Sequence, residues 1–323
     1  MAGDVIVTVT LNAALHISYT AGGMAADGIN PVSCAAYRAG GRGVTAARVL
    51  NAFGHDVLAA GLVGGTSGDL IREDLARSGV PTAFTLIRGD SRRVFSFAAP
   101  GGPALRFGEQ GPYITTEELG RFAADYRRLM AGAAAVVLCG SLPDGLPPEI
   151  YGSLVTYAAE AGVPAILDAG GEELMFAVGH GPDLVVAETA SADPDLCAAL
   201  IRLGAGAAVV ATDGAVRVVT PDGEWTARVA AASPDVAYPT ARGALVAGLV
   251  PGQLLGWSWP DRLRHALALA AGGTDNAGRP GSWPGGEDRD HVDLAAYERL
   301  LETVTVEQLA PQARSGIPAQ PYI

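Results

Sequence analysis

The sequence predicts an α/β fold: a mostly parallel sheet covered by helices on both faces, with a small β layer set over one end. Short apolar β-branched runs alternate with longer amphipathic stretches on connections of a few residues, the pattern of strand–helix–strand units. Two stretches, 13–37 and 88–107, are extended but broken by Gly and Asp-Gly turns, so they read as a β lid rather than core. At 323 residues the chain has the length of one large domain, with no internal repeat or linker, and we take 1–323 as a single unit.

Asp4–Thr10 reads as a buried first strand. Leu11-Asn12-Ala13-Ala14-Leu15-His16 then places Asn12 and His16 beyond its C-terminal end, where parallel sheets bind ligands. Arg38-Ala39-Gly40-Gly41-Arg42-Gly43 leads into an amphipathic helix over Val44–Phe53, stopped at Gly54. Val57–Val63 is a strand, followed by a helix over about Ser67–Arg77. Thr82–Ile87 and Arg93–Ala98 read as strands, Thr115–Leu129 as a helix and Ala134–Leu138 as a strand. Cys139-Gly140-Ser141-Leu142-Pro143-Asp144-Gly145 is a turn before helix Pro148–Glu160. Strand Pro164–Leu167 ends at Asp168-Ala169-Gly170-Gly171. Strand Leu184–Val186, helix Asp193–Leu203, strand Ala207–Ala211 and a hairpin over Val216–Val229 follow. Pro239–Val250 opens an apolar helix through small residues, with Thr240 able to cap it. Helices over Pro260–Ala271 and Asp293–Glu302, flanking a Gly/Pro-rich loop at Gly278–Gly286, and a strand at Val304–Val306 complete the chain.

Charge and composition narrow the function. A net charge of −12 argues against nucleic acid or an anionic membrane surface as partner. The composition is 49% hydrophobic and 17% charged, with neither a membrane-spanning apolar run nor a leader pattern, and predicts a cytoplasmic protein. The cysteines, Cys34, Cys139 and Cys197, are odd in number and far apart, which fits reduced thiols better than disulfides or a zinc site. All 22 basic residues are arginine. Any anionic ligand must therefore be held by Arg, His or backbone amides, and no lysine is available as base or Schiff-base former.

Two helix entries are candidate anion cradles: glycine-rich Gly40-Gly41-Arg42-Gly43, where the guanidinium adds bidentate reach, and the small-residue turn Thr240-Ala241-Arg242-Gly243. The alternative is close helix–strand packing for the first and a buried helix with a tight entry for the second. Trp257 and Trp259 read as packing at a helix start.

The ordered set Thr10-Leu-Asn-Ala-Ala-Leu-His16, Gly40-Gly-Arg-Gly43…Ala47-Arg-Val-Leu50…Gly54, Gly61-Leu-Val-Gly-Gly65…Gly68, Ser91-Arg92, Cys139-Gly-Ser-Leu-Pro143…Gly145 and Leu167-Asp168…Gly171 resembles the PfkB family of ribokinase-like sugar kinases. The branch it most resembles is that of 1-phosphofructokinase and tagatose-6-phosphate kinase. The resemblance runs to Val304-Thr-Val-Glu-Gln-Leu309. It implies a three-layer αβα core with a mostly parallel sheet, and a β lid that in this family often pairs two subunits.

The resemblance also implies roles, position by position. The family's Gly-Ala-Gly-Asp signature, whose amides hold the transferring phosphate and whose Asp takes the sugar proton, falls on Thr240-Ala241-Arg242-Gly243. Ala241, Arg242 and Gly243 thus stand at the anion hole, and the base position is Gly243, which has no acceptor. His16 stands where Asp is usual, Arg42 and Thr45 replace the Lys and Asn of Gly-Gly-Lys-Gly-x-Asn, and Cys139 replaces a Ser. On the nucleotide side Val186-Ala187-Glu188…Ser191 replaces Lys-Pro-Asn…Glu, and the phosphate loop is shortened to Ala211-Thr212-Asp213-Gly214. ATP and Mg²⁺ are the family's cofactors, but these departures predict neither cofactor nor metal here. Asn12, His16, Gly40, Gly41, Arg42, Thr45, Arg92 and Cys139 remain as candidate ligand-binding residues, with Asp168 in place after its strand.

His16 reads either as a new acid–base or hydroxyl-binding group titrating near neutrality, or as a neutral replacement. Glu188 and Asp213 are further acid–base candidates, and Arg242 either binds an anion or plugs the hole. The expected function is recognition of a sugar phosphate or cyclitol-like polyol without ATP-dependent transfer. The alternatives are an enzyme with new chemistry in the old cleft, or a weakly active hexose-phosphate kinase.

Overall fold

In the computed structural model, residues 5–23, 27–98, 105–188, 194–212, 215–229, 241–273 and 294–309 are described. The chain begins with β1 (Val5–Thr10), whose alternating side chains enter two cores: Ile6 packs on one face of the sheet, Val7 and Val9 on the other. β2 (Ala14–Ala21) and β3 (Val32–Gly40) precede α1 (Arg42–Ala52). Next come β4 (Val57–Gly64), α2 (Gly65–Arg77), β5 (Thr82–Ile87), β6 (Arg92–Ala98) and β7 (Leu105–Gly108). A capping box between Thr115 and Glu118 starts α3 (Thr116–Met130). Then follow β8 (Ala133–Cys139), α4 (Ile150–Glu160), β9 (Ala165–Gly170), α5 (Gly171–Val178), β10 (Leu184–Glu188) and α6 (Pro194–Leu203). The chain continues through β11 (Ala208–Thr212), β12 (Ala215–Thr220), β13 (Gly223–Val229), α7 (Arg242–Leu255), α8 (Trp259–Ala268), α9 (Leu294–Leu301) and β14 (Val304–Gln308).

Ten strands form one sheet in the order β14-β13-β12-β11-β10-β9-β8-β1-β4-β5. It is parallel from β11 to β5, and β12, β13 and β14 extend it antiparallel. α1, α2, α7 and α8 supply the core of one face, α3, α4, α5 and α6 that of the other. This is the ribokinase-like α/β fold, with helices covering both sides of a mostly parallel sheet. Among the described residues no helix is long and apolar enough to cross a membrane.

A second sheet, β3-β2-β6-β7, is drawn from the stretches that read as a lid. Paired residues on neighbouring strands share a face, so the register sorts its side chains. One face carries His16, Ser18 and Thr20 of β2, Arg38 of β3, Arg92 and Ser96 of β6 and Arg106 of β7. The other carries Leu15, Ile17, Tyr19, Tyr37, Phe95, Phe97, Leu105 and Phe107. Leu15, Ile17 and Ala39 are buried in the core, anchoring the sheet's near end. Asp74 of α2 fastens it further: its carboxylate accepts from the Ala39 N–H at 2.6 Å and pairs with Arg48 of α1.

Two expectations change, and one helix is added. Asp168 lies within β9, paired with Cys139 and Val186, and not in a turn after it, because the strand runs on to Gly170. Gly171–Val178, which carries no recognised start signal, is a helix entered through Gly171 at φ +57°. α7 is capped by Ala241 with no side-chain bond rather than by Thr240, which lies outside the described residues. Asp213, Ser191 and Gly278–Gly286 also lie outside them.

Candidate functional site

The strand ends of β1, β8, β9 and β10 converge on the first turns of α1 and α7. Packing at α1 explains its glycines. Gly41 has φ +127°, and a Cβ there would stand 2.7 Å from Thr10 Cγ2. At Gly43 a Cβ would stand 2.5 Å from Thr10 Oγ1 and 2.9 Å from the Val9 carbonyl, so only glycine lets α1 start against the end of β1.

Arg42 and Arg242, each the first residue of its helix, converge on one carboxylate. Asp168 is fully buried; its Oδ2 lies 3.1 Å from Arg42 Nε, and its Oδ1 accepts from a terminal nitrogen of Arg242. That nitrogen also donates to the Val186 carbonyl (3.1 Å), and its neighbour to that of Ala187 (3.2 Å). Arg242 is 5% exposed. Both terminal nitrogens are thus engaged by the protein itself, under the helix entry. A buried carboxylate needs such partners, since one uncompensated ion costs several kcal/mol.

Gly243 follows on α7. A Cβ built on it would lie 2.7 Å from Thr45 Cβ, 2.8 Å from the Arg42 carbonyl oxygen and 3.0 Å from Thr45 Cγ2. The positions read as base and asparagine replacements therefore touch, and the α1–α7 contact fills the space an acidic side chain would enter.

On the small-sheet side, Gly40 and His16 make the next contact: a Cβ on Gly40 would stand 2.4 Å from His16 Nε2. Arg92 Nε donates to the Asn12 carbonyl (3.3 Å), while Asn12 Nδ2 donates to the Leu142 carbonyl (3.3 Å) and to Ser141 Oγ (3.4 Å). Burial, then the charges of Arg92, Arg106, Arg48 and Arg38, push the His16 pKa down to about 4. That overturns the expectation of a group titrating near neutrality: His16 is neutral at pH 7, able to accept or donate a hydrogen bond but a weak base. Burial also lowers the Arg92 pKa.

The structure thus brings together Asn12, His16, Gly40 and Arg92 on one side and Arg42, Thr45, Ala241, Arg242 and Gly243 on the other. Cys139 is a correction to the candidate ligand set. It is fully buried at the end of β8, its thiol pKa raised well above the usual value by burial and then by Asp168, and it serves as a small core residue. Glu188 ends β10 opposite Gly170; its side chain lies outside the described residues. Trp259 stacks on Trp225 (centroids 6.1 Å apart) and Trp257 meets His265 edge-on (5.4 Å), as expected of packing at a helix start. Sequence reasoning missed the Arg48–Asp74 tie, whose only signal was a pair of charges on apolar helix faces.

The family's Mg²⁺–nucleotide fits these residues poorly. Both oxygens of Asp168 face guanidiniums. Val186 and Ala187, at the nucleotide-side positions, are buried strand residues whose carbonyls are taken by Arg242. Thr212 pairs with Ala215, leaving two residues between β11 and β12.

The sequence profile of pfkB family carbohydrate kinases matches residues 6–272. A tagatose-6-phosphate kinase of Staphylococcus epidermidis is 36% identical over 169 residues, 52% of this chain and 54% of that one, so the chain spans about half the length of the curated relatives it matches. Among solved structures, a possible 1-phosphofructokinase of Thermotoga maritima superposes with a TM-score of 0.81 at 22% identity, covering 95% of this chain and all of that one. Phosphofructokinase-2 of Escherichia coli in complex with fructose-6-phosphate superposes with a TM-score of 0.77 at 20% identity over 94% of this chain and 99% of that one.

Proposed function

The chain belongs to the pfkB family of carbohydrate kinases, and within it we propose a protein that binds a sugar phosphate or related polyol without ATP-dependent phosphoryl transfer. The observation that carries this reading is Gly243, which offers no proton acceptor at the family's base position and whose missing side chain would collide with Thr45 and Arg42. General-base loss alone typically costs ~10²–10⁴ in rate. The Arg42–Asp168–Arg242 cluster supports it further, since the guanidiniums take up the buried carboxylate beside the phosphate-transfer position. Asn12, His16, Gly40 and Arg92 are the residues we assign to the ligand. The exposed far end of the small sheet's apolar face supports a homodimer through the lid. A cytoplasmic location is part of this reading, in keeping with a carbohydrate-kinase family and a small anionic ligand.

The test is calorimetric titration with Mg-ATP together with a coupled ADP-release assay across hexose phosphates. No heat at micromolar nucleotide and flat traces at high enzyme concentration are expected; micromolar binding or turnover overturns the reading. The second reading, a weakly active hexose-phosphate kinase, is favoured by the 36% identity to a tagatose-6-phosphate kinase, and the same assay decides between the two.

A further inference from the structure

Tyr126 of α3 and Tyr151 of α4 are both fully buried, and the hydroxyl of each donates to a main-chain carbonyl at 2.9 Å. Tyr126 bonds Leu154, tying α3 to α4. Tyr151 bonds Gly140, where the chain leaves β8 for the turn that carries Ser141 and Leu142. Burial, ahead of any neighbouring charge, pushes the Tyr151 pKa well above the usual value, so the group stays a phenol and a donor. Gly140 has φ +106° and nothing within 4 Å of the place a Cβ would occupy, so it has no side chain to fix it and wide backbone freedom. Its main-chain groups fix it instead: the N–H donates to the Asp168 carbonyl (3.3 Å) and the carbonyl accepts from Tyr151. That carbonyl belongs to the planar peptide joining Gly140 to Ser141, so the Tyr151 bond sets the direction in which the Ser141 side chain leaves. Ser141 Oγ and the Leu142 carbonyl both accept from Asn12 Nδ2, and the Asn12 carbonyl accepts from Arg92 Nε. Gly111 closes the other side of the Asn12 amide: a Cβ there would stand 2.6 Å from Asn12 Oδ1 and 3.0 Å from Pro143 Cβ. The amide is thus seated between Gly111 and the turn that Tyr151 holds.

We propose that Tyr151 is a positioning residue for the sugar-phosphate site: through Gly140 and Ser141 it fixes the Asn12 amide, and with it the affinity for the ligand. The hydroxyl carries this role. The ring lies in an apolar core cluster that a phenylalanine would fill equally well, so packing alone does not call for a tyrosine. The proposal rests on the sugar-phosphate reading above, which assigns Asn12 and Arg92 to the ligand, and extends it to a residue in the core.

Isothermal titration of the whole chain with fructose 6-phosphate and tagatose 6-phosphate tests it. Tyr151→Phe keeps the ring and should weaken binding of whichever compound the unaltered protein takes by about five- to tenfold, the worth of one hydrogen bond. Tyr126→Phe loses an equivalent buried bond and should leave the affinity unchanged. Ser141→Ala should weaken binding by a similar factor, and the double variant with Tyr151→Phe should be little weaker than either, because both act on one amide. In heteronuclear NMR the Asn12 side-chain amide signals should shift in Tyr151→Phe and stay in place in Tyr126→Phe. Unchanged affinity in Tyr151→Phe, equal weakening in Tyr126→Phe, or effects that multiply in the double variant overturn the proposal and leave the sugar-phosphate reading standing. Should Tyr151→Phe not fold, Ser141→Ala decides, and unchanged affinity there overturns the proposal. Binding of neither compound by the unaltered protein overturns the sugar-phosphate reading; the Asn12 signals then decide the positioning role by themselves, and unmoved signals overturn it too.

Discussion

The Cβ that Gly243 lacks would stand 2.7 Å from the Cβ of Thr45, across the contact between the first turns of α7 and α1. Two positions that read as departures from the family pattern, far apart in sequence, therefore meet in one packing contact. Restoring the acid with Gly243→Asp should leave phosphoryl transfer undetectable and destabilise the fold by ~1–3 kcal/mol, the usual cost of overpacking. Adding Thr45→Ser removes the 3.0 Å contact to Cγ2 but not the 2.8 Å contact to the Arg42 carbonyl, so it should recover part of the loss. Thermal melts of the single and double variants, with ADP release measured alongside, check this; full activity in Gly243→Asp alone would refute it.

The buried Asp168 predicts strong coupling between its arginines. Asp168→Ala leaves two guanidiniums facing a cavity and should cost about 3–5 kcal/mol, as should Arg242→Ala, which strips Asp168 of one of its two cations. The pair Asp168→Leu with Arg242→Met should cost clearly less than the sum of the single alanine changes, because no charge is then left uncompensated. Chemical denaturation gives the coupling energy, and simple additivity would count against the cluster being one electrostatic unit.

Much of the fold was legible because its signals are local. The β-branched run at Val5–Thr10 and the short apolar run at Ala133–Cys139 each dictate a strand on their own. The site was legible as a set of positions but not as an arrangement. That Arg242 turns inward onto Asp168 depends on β9 running to Gly170 and on carbonyls of β10 fifty-five and fifty-six residues away, which no spacing in the chain encodes. His16 likewise gave its ring but not its four arginine neighbours, which come from three strands and a helix.

The far end of the small sheet exposes Phe107 (57%), Tyr37 (48%) and Leu105 (42%) on the face where Tyr19 stacks on Phe97 at 5.3 Å. A contiguous aromatic face of this kind on a sheet marks an interaction surface. In our reading a second copy covers it. Light scattering of the unaltered protein should give a dimer, and Phe107→Asp should give a monomer that still binds the sugar phosphate more weakly or equally. A monomeric unaltered protein removes the dimer from the proposal.

A buried histidine, His265, and a half-buried one, His16, set the acid limb of stability. His265, beside the Tyr297 hydroxyl and edge-on to Phe53, has its pKa pushed down to about 4 by burial and then by His55, as has His16 by burial and its arginines. Both are therefore neutral when folded and take up protons on unfolding below the ordinary value of 6.5. Their contribution is fully present above about pH 6.5 and is lost as the pH falls towards 4, up to ~3 kcal/mol for each. Denaturant midpoints between pH 4 and 7 should fall with acid, and His265→Gln should flatten that slope.

The Gly40–His16 contact allows the site to be altered without disturbing the core. In Gly40→Ala the new methyl would overlap His16 Nε2 at 2.4 Å, and the ring, being a side-chain terminus, can move where backbone could not. Moved outward, it regains water and loses part of the arginine field, so its pKa should rise from about 4 towards the ordinary value. An NMR titration of the His16 ring protons reads this directly. The melting temperature should change little, while binding of the phosphorylated ligand should weaken, because the displaced imidazole intrudes on the polar face. A histidine that still titrates near 4 in Gly40→Ala would show that the arginines of the sheet, and not its seat against Gly40, hold it neutral.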